Sequence, residues 1–267
     1  MYRIMLVTDR PEVLAALEEI SSWESLGFRP PRVCHSAESA IAALKAHHVD
    51  GLGMALGKSD EDLLMAHLTA FYPILPIYAV SDVADEMLDN IRELRKLLNR
   101  THADFSNDNF GEGDMLQVCR HEFFRALLSE QIERRKDVVD RMRLLRSKMD
   151  VEAPCVLVDL AVPDGGEFLS GRWHYGPERL EVALRNFFGA EFHGMRMVVA
   201  VVAPDHVRLL CCPMTGVAQD VDADDSVTSL VNEHTQEAME QARIYLDLEL
   251  SLTSIRVLPN VTVLAQE

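Results

Sequence analysis

Residues 112–150, EGDMLQVCRHEFFRALLSEQIERRKDVVDRMRLLRSKMD, decide how the chain is divided. Apolar residues fall at Leu116, Cys119, Phe123 and Leu127, and again at Val138, Met142, Leu145 and Met149. Steps of three and four place each set on one face of a helix. The polar stretch 129–136 interrupts the pattern, so one long bent helix and two consecutive helices both fit. Residues 111–150 carry 9 Lys/Arg against 8 Asp/Glu, whereas residues 1–110 carry 10 against 17 and residues 151–267 carry 7 against 18. The near-neutral stretch therefore reads as a helical connector (111–150) between two acidic halves, 1–110 and 151–267. Its basic run, Arg134, Arg135 and Lys136, is interleaved with Glu130, Glu133, Asp137 and Asp140. That mixture is the signature of a solvated, ion-paired helix face rather than of a nucleic-acid contact.

Working outward, 267 residues are enough for two cores of ordinary size. The composition, 48% apolar and 26% charged, is that of a globular chain. No apolar run approaches the roughly 18 residues of a membrane span. The opening MYRIMLVTDR reads as a strand and not as a signal peptide. Cys34, Cys119, Cys155, Cys211 and Cys212 form no CxxC pair, which points to buried reduced thiols and a cytoplasmic setting. A net charge of −17, with no lysine in residues 151–267, argues against a nucleic-acid footprint.

In the N-terminal half, short apolar runs at 3–8, 32–35, 51–56 and 75–80 alternate with helical stripes after Pro11, after Ser36, around Leu63–Leu64–His67–Leu68 and over 83–98. Residues 103–105 make a weak fifth strand. Five alternations in about 110 residues predict an open, five-stranded parallel sheet with helices on both faces.

The phrases MYRIMLVTDRPEV, WESLGF, AESAIAALKAHHVD, YPILPIYAVSD and HADF carry a resemblance over residues 1–110. In order and spacing they resemble a response-regulator receiver domain, which has a flavodoxin-like fold, and WESLGF is similar to the AraC-type subgroup. The resemblance implies an acidic metal-binding pair after the first strand, where this chain has Thr8 and Asp9. It implies a phospho-accepting aspartate at the position of Ala55, a hydroxyl at Ser81, and a lysine where Asp108 stands. Phosphoryl transfer to protein needs a carboxylate nucleophile, a metal held by several oxygens and a balancing cation. Ala55 and Asp108 remove the first and the last, so a pseudo-receiver is expected.

In the C-terminal half, strands are expected at 155–162, 195–202, 206–212 and 250–255 (or on to 257), and helices at 177–188 and 227–246, with a polar connection over 164–176. The order β-α-β-β-α-β is that of a ferredoxin-like α+β domain. With the approach FFRALLSEQ, this half resembles the central domain of AraC-type regulators, itself similar to a degenerate nucleotidyl cyclase. The cyclase hairpin Gly-Gly-Asp-Glu-Phe is replaced by Ala203-Pro204-Asp205-His206-Val207, without the glycines or the glutamate.

Other groups carry little. Adjacent His47 and His48 point about 100° apart on a helix and make poor metal ligands with His67. The acidic loop 220–225 lacks the glycine and terminal glutamate of an EF-hand. Asp159, Trp173 and His174 are the residues that could line a ligand pocket. No catalytic residue, metal site or cofactor is expected.

The expectation is a non-enzymatic, phosphorylation-independent signalling or transcription-regulatory protein. It would act as a homodimer through the connector and helix 83–98, or through a protein partner. The alternative is a small-molecule sensor with its pocket at Asp159, Trp173 and His174. Contact with DNA is expected only through the helix-turn-helix domain with which that family continues, which this sequence does not contain.

Overall fold

Strand β1 (Ile4–Thr8) is buried at every position, as a strand covered on both faces must be. The computed structural model describes residues 1–102, 112–173, 175–217 and 226–266. After β1 come α1 (Pro11–Glu18), β2 (Arg32–Cys34), α2 (Ala37–Ala46), β3 (Gly51–Ala55), α3 (Lys58–Phe71), β4 (Ile77–Tyr78) and α4 (Ala84–Thr101). Pro11 starts α1, and a capping box starts α2: Ser39 N donates to Ser36 Oγ while Ser36 N donates to Ser39 Oγ.

The strands form a parallel sheet in the order β2-β1-β3-β4. Alternation sends Met5, Val7, Leu52, Met54 and Ile77 to the face covered by α2 and α3. Ile4, Leu6 and Tyr78 go to the face covered by α1 and α4. Gly53 is required beside Tyr78, because a Cβ there would lie 2.5 Å from the ring. Among the described residues the sheet has four strands, one fewer than expected; the predicted fifth, 103–105, lies outside the described residues.

The connector is two helices, α5 (Glu112–Leu128) and α6 (Arg135–Leu144). It is not a body of its own. The chain divides into Met1–Arg120 with Asp140–Ser147, and His121–Val139 with Lys148–Glu267, so each helix contributes to both units.

The second unit continues with β5 (Cys155–Ala161), a helical turn α7 (Gly165–Glu167) running into a π-helical turn (Phe168–Arg172), and α8 (Pro177–Phe188). Then follow β6 (Glu191–Phe192), β7 (Met195–Ala203), β8 (His206–Pro213), α9 (Val227–Leu246) and β9 (Ser251–Leu258). The sheet is antiparallel, in the order β6-β7-β8-β5-β9. Val156, Val158 and Leu160 face a core shared with Leu180, Leu184 and Phe188 of α8 and Val231, Ala238 and Ala242 of α9. The stretch expected to be a polar connection is partly built in. Phe168 is buried, and Gly165 passes so close to the β7–β8 turn that a Cβ would lie 1.8 Å from Pro204 O.

Candidate functional site

Thr8, Asp9, Ala55 and Ser81 follow or end β1, β3 and β4 at the C-terminal edge of the parallel sheet. The polar groups at this edge satisfy one another. Thr8 is fully buried, and its Oγ1 donates to Ala55 O (2.9 Å) and accepts from Arg10 N (3.1 Å). Arg10 Nη2 donates to Leu56 O (3.3 Å), and a ring nitrogen of His35, Nδ1, lies 3.1 Å from Thr8 O. Ser81 Oγ donates to Glu86 Oε2 (2.9 Å) and accepts from Val83 N (3.1 Å), which fixes the entry to α4. Asp9 is exposed. Asp108 lies outside the described residues. Among the described residues no cluster of three or more His, Cys, Asp or Glu could hold a metal.

Asp159 has a different surrounding. The β5–β9 ladder shifts register between Asp159 and Leu160, leaving Thr253 extra on β9. Thr253 Oγ1 donates to Asp159 O (2.8 Å), and Ser254 is set directly across from Asp159. On the other side Arg208 of β8 is its cross-strand partner. The carboxylate accepts from Arg208 Nε (2.9 Å), Ser254 Oγ (2.8 Å) and Arg256 Nη2 (3.1 Å), with His206 Nε2 at 3.0 Å. Burial alone pushes this carboxyl up, but the Ser254 hydroxyl and the two guanidinium groups outweigh it and hold the pKa at about 2. Arg208 Nη1 also donates to Leu128 O (2.6 Å), a terminal carbonyl of α5, and to Glu130 Oε1 (2.8 Å).

The fold gives Asp159 several partners that no local pattern in the sequence marks. Its oxygens are engaged, so it is not a vacant metal ligand. Nor does it share a pocket with Trp173. Alternation puts Asp159 on the sheet face opposite Val158 and Leu160, whereas Trp173 packs against the core on their side. Trp173 stacks on Phe168 and donates from Nε1 to Gly176 O (2.9 Å). His174 and the 220–225 loop lie outside the described residues. His67 packs on the Phe71 and Tyr72 rings, and His48 Nε2 meets Asp50 Oδ1 at 2.8 Å.

Two buried groups had no distinct sequence signal. Glu181 of α8, almost fully buried, takes a two-point ion pair from Arg125 (2.9 and 2.6 Å) and accepts from Val201 N (2.9 Å). His121 of α5 makes no hydrogen bond from Nε2. Burial, with Arg185 and Arg125 nearby, lowers its pKa to about 4, so it is neutral at pH 7. All five cysteines are buried thiols.

No helix among the described residues is long and apolar enough to cross a membrane. No protein-family model matches this chain, and no curated protein matches it significantly.

Proposed function

We propose that this chain is a non-enzymatic regulatory protein of the response-regulator kind, whose parallel-sheet unit works without aspartyl phosphorylation. The observation that carries this reading is the Thr8 hydroxyl bonded to the Ala55 carbonyl at the C-terminal sheet edge. A methyl group stands where a nucleophile would be needed, and the hydroxyl beside it is engaged by backbone. Arg10 holds the adjacent Leu56 carbonyl, and Asp9 alone is a weak magnesium site. The parallel sheet with helices on both faces fits a receiver-like, flavodoxin-like domain. In the other unit, the order β7-β8-β5-β9 with α8 and α9 on one face fits a ferredoxin-like one.

Output would run through a homodimer or a protein partner, and the connector stripe does not favour the homodimer. The apolar stripe that suggested a dimer, Leu116, Cys119, Phe123, Leu127, Val138, Met142, Leu145 and Met149, is buried within a single chain. The apolar face of α4 lies in the core of its own unit, and its outer face carries the pairs Arg92–Asp89 and Lys96–Glu93. Incubation with acetyl phosphate and magnesium, followed by intact mass, tests the phosphorylation-independent reading. The expected mass is unchanged. A stable gain of one phosphoryl group, abolished by Asp9→Asn, overturns it.

A further inference from the structure

The sheet of the first unit is parallel, so the N-terminal ends of β1, β2 and β3 share the edge opposite Thr8 and Ala55. Three arginines gather there. Arg3 precedes β1. Arg29 is brought beside it by the Tyr2–Phe28 bridge, in which Tyr2 N donates to Gly27 O and Arg29 N to Tyr2 O, each at 2.9 Å. Gly27 permits this turn with φ +80°. Arg32 opens β2 across from Met5. Pro30 and Pro31, between Arg29 and Arg32, fix the backbone that presents them. With His47 and His48, these arginines line a cavity of about 570 Å³.

Among the described residues no carboxylate lines this cavity, and Asp50 lines the adjoining one. Among the described residues, the guanidinium groups of Arg3, Arg29 and Arg32 have no hydrogen-bond or ion-pair partner. The acid beside the cavity, Asp50, is already engaged. Its Oδ2 accepts from Arg3 N (2.6 Å), and its Oδ1 meets His48 Nε2 (2.8 Å), so it holds two rim residues in place and makes no side-chain bond to the arginines. The C-terminal end of α2 accounts for a basic residue at His47, its cap, and at Lys45 in its last turn. It does not account for three arginines on the β1 and β2 side. In a chain of net charge −17 such a cluster runs against the composition.

We propose that this cavity binds a small molecule carrying a diphosphate group. The planar fork of arginine matches phosphate oxygens two at a time, and three such forks suit adjacent phosphoryl groups. The volume falls in the range of small-ligand sites. The acidic remainder of the chain opposes a nucleic-acid backbone, which needs a basic tract. A second cavity of about 670 Å³ shares His47, His48 and Val49 with the first and is walled by Tyr72, Leu75 and Pro76. That second space seats the aromatic or apolar remainder of the ligand, as in a nucleoside diphosphate. The site is independent of the phosphorylation-independent reading, which concerns the opposite edge of the sheet.

Isothermal titration of the full chain with inorganic pyrophosphate and with ADP, at low ionic strength, tests the site. Both probes are expected to bind, ADP at least as tightly, with affinity falling as salt is added. Arg29→Ala and Arg32→Ala are each expected to weaken binding about tenfold, Arg→Lys at the same positions less, because the charge survives and the fork does not. Arg92→Ala, on the ion-paired face of α4, is expected to change nothing. No heat from either probe at millimolar concentration overturns the proposal, as does binding that the Arg29 and Arg32 substitutions leave intact. ADP binding weaker than pyrophosphate removes the second cavity from it.

Discussion

Asp159 and the Arg3–Arg29–Arg32 cavity are opposite solutions to the placing of cations on a β-sheet. Around Asp159, Arg208, Arg256 and His206 converge on one largely buried carboxylate. Around the cavity, three arginines converge on open space. The first arrangement is closed, since each partner adds a hydrogen bond that offsets the desolvation of the carboxylate. The second sets three arginines at one sheet edge with no side-chain partner among the described residues, the nearby Asp50 being bonded to Arg3 N and His48 instead. Completed networks hold a fold together; incomplete ones wait for something to complete them.

The largest effect expected from this contrast is at the closed network. Asp159→Ala leaves Arg208, partly buried, with Glu130 as its remaining carboxylate partner among the described residues and removes the acceptor for Ser254 and Arg256. Breaking a pair of this kind costs about 3–5 kcal/mol. The urea midpoint of the antiparallel-sheet unit is expected to fall accordingly, with Glu181→Ala comparable because Arg125 and Val201 N lose the same kind of partner. A loss below about 1 kcal/mol for both would place these networks with ordinary surface pairs and end the comparison.

The periodic features of these units were legible in the sequence, and the networks were not. Helices α8 and α9 run over the residues that periodicity assigned, from Pro177 to the Gly189 cap and from the Ser226 cap to Leu246. β4 is shorter than its apolar run, because only Ile77 and Tyr78 pair with β3. The connector's stripe foretold a buried face, but periodicity says that a face is covered and not by what. Asp159 shows the same limit. Its partners lie 47 to 97 residues away along the chain, and one depends on a bulge at Thr253. Nothing local marks such a bulge. The arginine cavity is gathered in the same way from separate strand ends by the parallel topology.

Acid should separate the buried groups. His121 has a folded pKa of about 4, below its ordinary 6.5, so it favours folding while neutral. That contribution is full above pH 6.5 and is lost as pH falls toward 4. Asp159 is depressed from 3.8 to about 2, so its contribution survives to pH 4 and is lost only as pH falls from 4 toward 2. Unfolding free energy against pH is expected to fall in two separate windows. His121→Phe should flatten the upper window and leave the lower one. A single window, unchanged in that variant, would mean that the histidine is solvated.

The smallest effect is the sharpest discriminator. Arg29→Ala and Arg32→Ala remove exposed side chains with no hydrogen-bond or ion-pair partner among the described residues, so stability should move by no more than about 0.5 kcal/mol. Arg208→Ala, by contrast, removes the ligand of Asp159 and of the Leu128 carbonyl together and should cost several times more. Thermal midpoints of the three variants at low and high salt separate the cases. If Arg29→Ala destabilises as much as Arg208→Ala, the cavity is held by contacts of a structural kind, and its arginines need no ligand to explain them.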